Sequence, residues 1–262
     1  MCTLAFAFRS FRNYPLIFLG NRDEFYNRPT APAAFREDAH DLLAGRDMKY
    51  GGTWLGLAKD GRFATVTNYR DLTSKREHSL SRGIMTKEYL LGKDDPLDYL
   101  NELVSQKDSY NWFNLLVGDI NRLYYYSNRP GKIQHLEPGI YGLSNHLLNT
   151  PWPKVNRIKE LLRDHLAESS RPSLENLFEI LVNRERAEDD QLPDTGIGLD
   201  WERVLSSIFI TSPAYGTRNS TVLIIDDKNK VTFAERFFRS EGDEGTEVKF
   251  EFTLRDPEED HR

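Results

Sequence analysis

The sequence predicts an α+β fold in which two mostly antiparallel sheets are flanked by helices within one domain. Three observations lead there. Short apolar runs bounded by turn residues recur along the 262 residues. Two blocks of helical periodicity interrupt them, so the order is hairpins, helices, strands, helices, strands. Aromatic residues make up 12% of the chain, a bias that favours strands.

Residues 3–8 (TLAFAF) and 15–20 (PLIFLG) read as an opening hairpin, with the polar SFRNYP between them as its turn. The following NRDEFYNRPTAP carries two prolines and reads as a loop. TWLGLAKDGRFATVTN gives a second hairpin that turns at Lys59-Asp60-Gly61. Residues 80–106 change to a helical pattern, SRGIMTKEYLL and then DPLDYLNELVSQ, the latter entered through Asp95 and Pro96. Strands return at FNLLVGDI and RLYYYSN, joined across Asp119 to Asn121, and again at KIQHLE and GIYGLSN. WPKVNRIKELLRDHLAE and SLENLFEILVN place apolar residues three and four apart, as helices with one buried face do. Residues 184–200 are polar and acidic and read as a loop, after which SSIFIT, STVLIIDD, KVTFAERFF and EVKFEFTL read as closing strands. The expectation is a single domain over 1–255, with a disordered tail at 256–262.

Composition narrows the function classes. A net charge of −6 argues against a general attraction to nucleic acid or to an anionic membrane. A single cysteine excludes an intramolecular disulfide and any multi-cysteine zinc site. No run approaches the roughly 18–20 apolar residues that cross a bilayer. Arg9, Arg12 and Asn13 break any signal-peptide core, so the expected location is the cytoplasm.

Four polar clusters stand where apolar runs end: GNRDE (20–24), VTNYR (66–70), GLSNH (142–146) and YGTRNST (215–221). Each alone reads as a turn. A cysteine at position 2 changes their weight. Cys2 is small enough for Met1 to be removed, and the α-amine then exposed has a reference pKa of ~7.7–8.0. A thiol beside such an amine has a general base built in. A neighbouring guanidinium lowers the thiol pKa, a carboxylate can hold the amine, and Asn amides can donate to a tetrahedral oxyanion. Arg22, Asp23, Asn68, Asn145 and Arg218 are the residues available for those parts.

MCTLAF, FLGNRDEFYNRPT, GGTWLG with VTNYR, GLSN and YGTRNSTVLIID together resemble the NRDE family, also called the transport and Golgi organisation protein 2 family. The resemblance runs over nearly the whole chain. The opening hairpin is also similar to that of the cysteine-type N-terminal nucleophile (Ntn) hydrolases, which implies a four-layer αββα sandwich. Carried over, Cys2 would be the nucleophile, Arg22 would stabilise its thiolate and Asp23 would orient the α-amine. Asn68 and Asn145 would form the oxyanion region, with Arg218 supporting the site. Asn21, Glu24, Trp54, Tyr69 and His146 are the candidate substrate contacts. In the hydrolases the Arg and Asp are two residues further apart than the adjacent Arg22 and Asp23, so Glu24 is a rival for the Asp role. The implied function is cleavage of an amide or thioester bond in a small acylated molecule. The family's association with lipid and acyl-CoA homeostasis, secretory-pathway organisation and haem mobilisation implies an alternative, a non-catalytic carrier of haem or acyl lipid using the same pocket.

Other signals are weaker. His40, His78, His135, His146, His165 and His261 show no metal-ligand spacing, and no haem-attachment signature occurs, so neither a metal nor a cofactor is expected. Gly51-Gly52-Thr53-Trp54 lacks the pattern of a phosphate-binding loop. Its glycines read as a close backbone approach, with Trp54 packed against the active edge. The sequence does not set an oligomeric state.

Overall fold

The computed structural model describes residues 2–71, 79–239 and 244–255. The first two strands, β1 (Cys2–Phe11) and β2 (Tyr14–Phe25), form the expected opening hairpin, and it is longer than its apolar runs. β3 (Thr30–Arg36) and β4 (Ala39–Asp47) follow, then β5 (Leu55–Ala58) and β6 (Phe63–Asn68). The helices α1 (Arg82–Leu91) and α2 (Pro96–Ser105) precede β7 (Phe113–Gly118), β8 (Leu123–Ser127), β9 (Lys132–His135) and β10 (Gly139–Leu143). α3 (Pro153–Glu168), α4 (Leu174–Leu181) and α5 (Leu199–Leu205) lead into β11 (Tyr215–Ile225), β12 (Lys230–Phe238) and β13 (Glu244–Thr253).

Two antiparallel sheets result. One has the order β10-β1-β2-β11-β12-β13 and the other runs β3 to β9 in sequence order. The pleat alternation assigns each strand two apolar faces. Leu4, Phe6, Phe8, Leu16, Phe18, Leu223 and Phe233 meet Leu43, Leu57, Phe63 and Leu116 between the sheets. On the outer face of the first sheet Ala5, Ala7, Ile17 and Leu19 meet Ile158 and Leu162 of α3 and Phe178 of α4. On the outer face of the second, Ala64, Val66 and Leu115 meet Met85 and Tyr89 of α1 and Leu100 of α2. The chain is therefore the expected four-layer αββα sandwich. No helix among the described residues is long and apolar enough to cross a membrane.

Three local readings are corrected. NRDE is not a loop but the last turnless stretch of β2, because its backbone pairs with β1 on one side and β11 on the other. YGTRNST likewise lies within β11. SSIFIT is not a strand: α5 ends just before it, and Ile208 and Ile210 are buried in loop conformation among helices and the β11 start. β3 and β4 were hidden by Pro32 and by their alanines and charges, which leave no clear alternation. Met1, His78, His261 and the tail at 256–262 lie outside the described residues.

Candidate active site

The antiparallel register of β1 on β2 sets Cys2 opposite Arg22, and that of β2 on β11 sets Arg22 opposite Asn219. Phe237 of β12 stands opposite Asn219. Directly opposed residues project to the same face of a sheet, so these four form one row across four strands. Cys2 shares the phase of Leu4 and Phe6, which places the row on the face between the sheets. Here the packed core gives way to a cavity of about 240 Å³. Cys2, Arg22, Asp23, Glu24, Asn68 and Trp54 border it, as do Asn219, Glu235 and Arg82.

Burial dominates the electrostatics. Cys2 and Arg22 are each 7% exposed and Asp23 1%. Loss of water pushes the Cys2 thiol up; Asp23 adds to that and Arg22 opposes it without prevailing. The lowered thiol pKa expected from the guanidinium is not found, because desolvation is the larger effect. Burial also raises Asp23, against the pull of Lys154, of a hydrogen bond from Thr217 and of Arg22. Thr217 Oγ1 donates to Asp23 Oδ1 at 2.8 Å, and the Tyr215 hydroxyl donates to the Asp23 carbonyl at 3.0 Å. Glu24 lies 3.8 Å from Arg22 and 3.7 Å from Arg28. It is a partly exposed ion-pair partner, whereas Asp23 is enclosed.

Other residues singled out in the sequence stand behind the cavity wall. Asn145 is fully buried, and its side-chain amide donates to the Asn68 carbonyl at 3.0 Å. Ser144 bonds both the Cys2 carbonyl and Asn145 Oδ1, tying the amino-terminal strand to that asparagine. Asn21 faces the helical layer, where its amide donates to the Leu181 and Ile208 carbonyls. Tyr69 and His146 bond each other at 2.8 Å, and His146 also bonds Thr150. Arg218 sits where the β11–β2 register slips by one residue, a bulge that turns it out of the row. From there it donates to the carbonyls of Phe25, Tyr26 and Arg28, each at 3.1 Å. It holds the loop that carries Arg28 and does not border the cavity.

Four site residues escaped the sequence reading. Asn219 follows the bulge and so takes the inward place beside Arg22. Glu235 accepts from Ala33 N at 2.7 Å, from Thr221 at 3.0 Å and from the Asn219 amide. Burial drives its carboxyl up to about 7. Its signal was legible: Val231, Phe233, Glu235 and Phe237 share one phase of β12, and a carboxylate in an apolar phase is a flag. Lys154, 2% exposed at the start of α3, is pulled down to about 8 by burial, with Asp23 and Cys2 among the charges that resist the shift. Its Nζ has no hydrogen-bond acceptor among the described residues. Arg82 opens α1, and nothing in the helical pattern marks it. Among the described residues no group of three His, Cys, Asp or Glu side chains is placed to hold a metal ion.

Comparison with known proteins bears on the fold and the family. A conjugated bile acid hydrolase from Clostridium perfringens, solved as its C2A mutant, superposes with a TM-score of 0.51 at 11% identity. That alignment covers 97% of this chain and 92% of the other, and it shows a shared fold. The Transport and Golgi organization 2 homolog of Mus musculus is 35% identical over 97% of this chain and 99% of its own length. The Drosophila melanogaster Transport and Golgi organization protein 2 is 30% identical over 85% and 86%. The family described as Transport and Golgi organisation 2 matches residues 1–240. With its sandwich, its NRDE strand and relatives along nearly its full length, the chain belongs to the transport and Golgi organisation 2 family.

Proposed function

We propose that the protein is a hydrolase in which Cys2 attacks the acyl carbon of an amide or thioester in a small acylated substrate. The observation that carries this is the Cys2–Arg22–Asn219 row, which faces a polar cavity with Asp23 enclosed beside it. In the reading, Met1 is removed and the α-amine of Cys2 takes the thiol proton as sulfur bonds to the acyl carbon. The oxyanion is held by the side-chain amide of Asn68, with Asn145 fixing the Asn68 backbone from behind. The α-ammonium returns the proton to the leaving amine or thiol as the bond to the acyl carbon breaks. Water then attacks the acyl-enzyme, giving its proton to the amine, and the thiol is released with the carboxylic acid. Arg22 supports the thiolate, and Asp23 the ammonium form of the terminus. Trp54 and Glu24 contact the substrate at the wall. Localisation to the cytoplasm belongs to the same reading.

The cavity's lining favours this over a carrier of haem or acyl lipid: Arg22, Asp23, Glu24, Arg28 and Glu235 border it, where an apolar ligand calls for mostly apolar walls. Two measurements test the proposal. Intact mass should show a chain lacking Met1. Cys2→Ala should abolish turnover of N-acyl amides or acyl thioesters that the parent cleaves. A retained Met1 in the active protein, or unchanged turnover in Cys2→Ala, would refute the mechanism.

A further inference from the structure

Arg22, Arg28, Arg46 and Arg82 border the cavity beside the carboxylates of Asp23, Glu24, Asp47 and Glu235, and the arginines are not equivalent. Arg28 makes a bidentate pair with Asp47 at 2.7 and 3.3 Å, and Arg22 has Glu24 at 3.8 Å. Arg82 has no carboxylate partner among the described residues. Its Nη1 donates to the Trp112 carbonyl at 3.0 Å, and its remaining donors are left for the cavity it borders.

The fold holds it there. Thr53 N donates to the Gly83 carbonyl at 3.0 Å. A Cβ on Gly52 would stand 2.5 Å from the Gly83 carbonyl carbon, so only glycine admits this contact. The β4–β5 connection is thereby pressed against the first turn of α1, which directs Ser81, Arg82 and Gly83 to the cavity. The first turn contains no acidic residue, and Ser81 makes no side-chain cap bond, so the positive end of the helix is uncompensated too. Burial lowers the Arg82 pKa to about 10, with the Cys2 thiolate and Glu24 acting to keep it charged and Arg28 opposing. It is a cation at neutral pH, within electrostatic range of the thiol.

A half-buried guanidinium that no carboxylate among the described residues bonds keeps donors free, and its planar fork matches an oxyanion. We propose that Arg82 forms an oxyanion subsite beside Cys2, so that the substrate carries a carboxylate, sulfonate or phosphate close to the scissile carbonyl. The substrate class rests on the reading of Cys2 as nucleophile; the subsite does not.

The sole cysteine allows a test without turnover. Iodoacetate and iodoacetamide alkylate the same thiol and differ by one negative charge. In Arg82→Gln the iodoacetate-to-iodoacetamide rate ratio should fall about tenfold, the effect of losing one charge-assisted contact, and Arg82→Lys should keep most of it. The pH profile with iodoacetamide separates this from a changed thiol pKa. Protection of the wild-type thiol by acetate, methanesulfonate or phosphate then ranks the three head groups. An unchanged ratio in Arg82→Gln would overturn the subsite, as would an equal loss with both reagents. Turnover of an N-acylglycine and its neutral N-acylglycinamide completes the test. Preference for the first, lost in Arg82→Gln, is expected. Cleavage of both at equal rates would overturn the substrate class, and no cleavage with the alkylation ratio intact would overturn the nucleophile instead.

Discussion

Glu235 occupies an inward position of β12 between Phe233 and Phe237, where the alternation calls for an apolar side chain. Its neutral donors and the nearby Arg22 do not offset the loss of water, and the carboxyl rises from an ordinary glutamate's 4.5 to about 7. Between those values the folded chain holds a proton that the unfolded chain has released. Stability therefore falls as pH rises through that window, by about 3 kcal/mol for this group. Glu235→Gln removes the titration. Denaturant unfolding at pH 5 and pH 8 should show the variant gaining on the parent by that amount, and a pH-independent difference would contradict the assignment. Lys154 runs the other way. Its pKa falls from 10.5 to about 8, so the unfolded chain keeps the proton longer and stability rises with pH between those values. Lys154 also pulls the Asp23 carboxyl down. In Lys154→Met that pull is lost, and the acid limb of the pH–rate profile should move to higher pH. A profile that stays in place would show that Lys154 does not act through Asp23. Cys2, Arg22 and Asp23 were legible because the chain has one cysteine, at position 2, and because Arg22 and Asp23 lie in the NRDE tetrapeptide; the Arg-Asp pair alone recurs at 46–47, 70–71, 163–164 and 255–256. Asn219 was not, since its inward place depends on a bulge that no residue type announces.

Two devices at the scale of single elements decide what the site contains. The bulge at Arg218 resets the phase of β11, placing Asn219 inward and leaving Arg218 to tie three carbonyls of the loop after β2. Arg218→Ala should lower stability by about 2–3 kcal/mol in denaturant unfolding, the scale of losing hydrogen bonds from a charged donor. It should also loosen Arg28, raising KM more than it lowers kcat. The contact between Gly52 and Gly83 is the second device. Gly52→Ala must push α1 away from β5, and a loss of about 1–3 kcal/mol is expected from such overpacking. Wild-type stability in that variant would show the contact to be slack. The helices were legible from their period, and most strands from their alternation. β3 and β4 were not: bulges interrupt their register, and Pro32 stands inside β3. SSIFIT misled for the opposite reason, as a short apolar run is equally at home in a buried loop.

At the scale of the whole molecule, four layers follow from sheets whose both faces are apolar, and the αββα order follows from which helices carry the matching stripes. The last strand matters more than its position suggests. β13 pairs along β12 on the side away from β11, and its Phe250 and Phe252 meet Phe35 of β3 edge-on. Ending the chain before residue 244 should expose the β12 edge and that aromatic contact, and the shortened protein should aggregate on heating where the full chain unfolds reversibly. The row that spans β1, β2, β11 and β12 has a further consequence in time. Cys2 is made more than two hundred residues before Asn219, Glu235 and Phe237. At ~5–20 residues per second, the thiol waits roughly 12–47 s before its cavity has walls. Through that interval it is an ordinary exposed sulfur, open to oxidants and to stray acyl donors. The enclosure that raises its pKa in the finished fold is then also what ends its vulnerability.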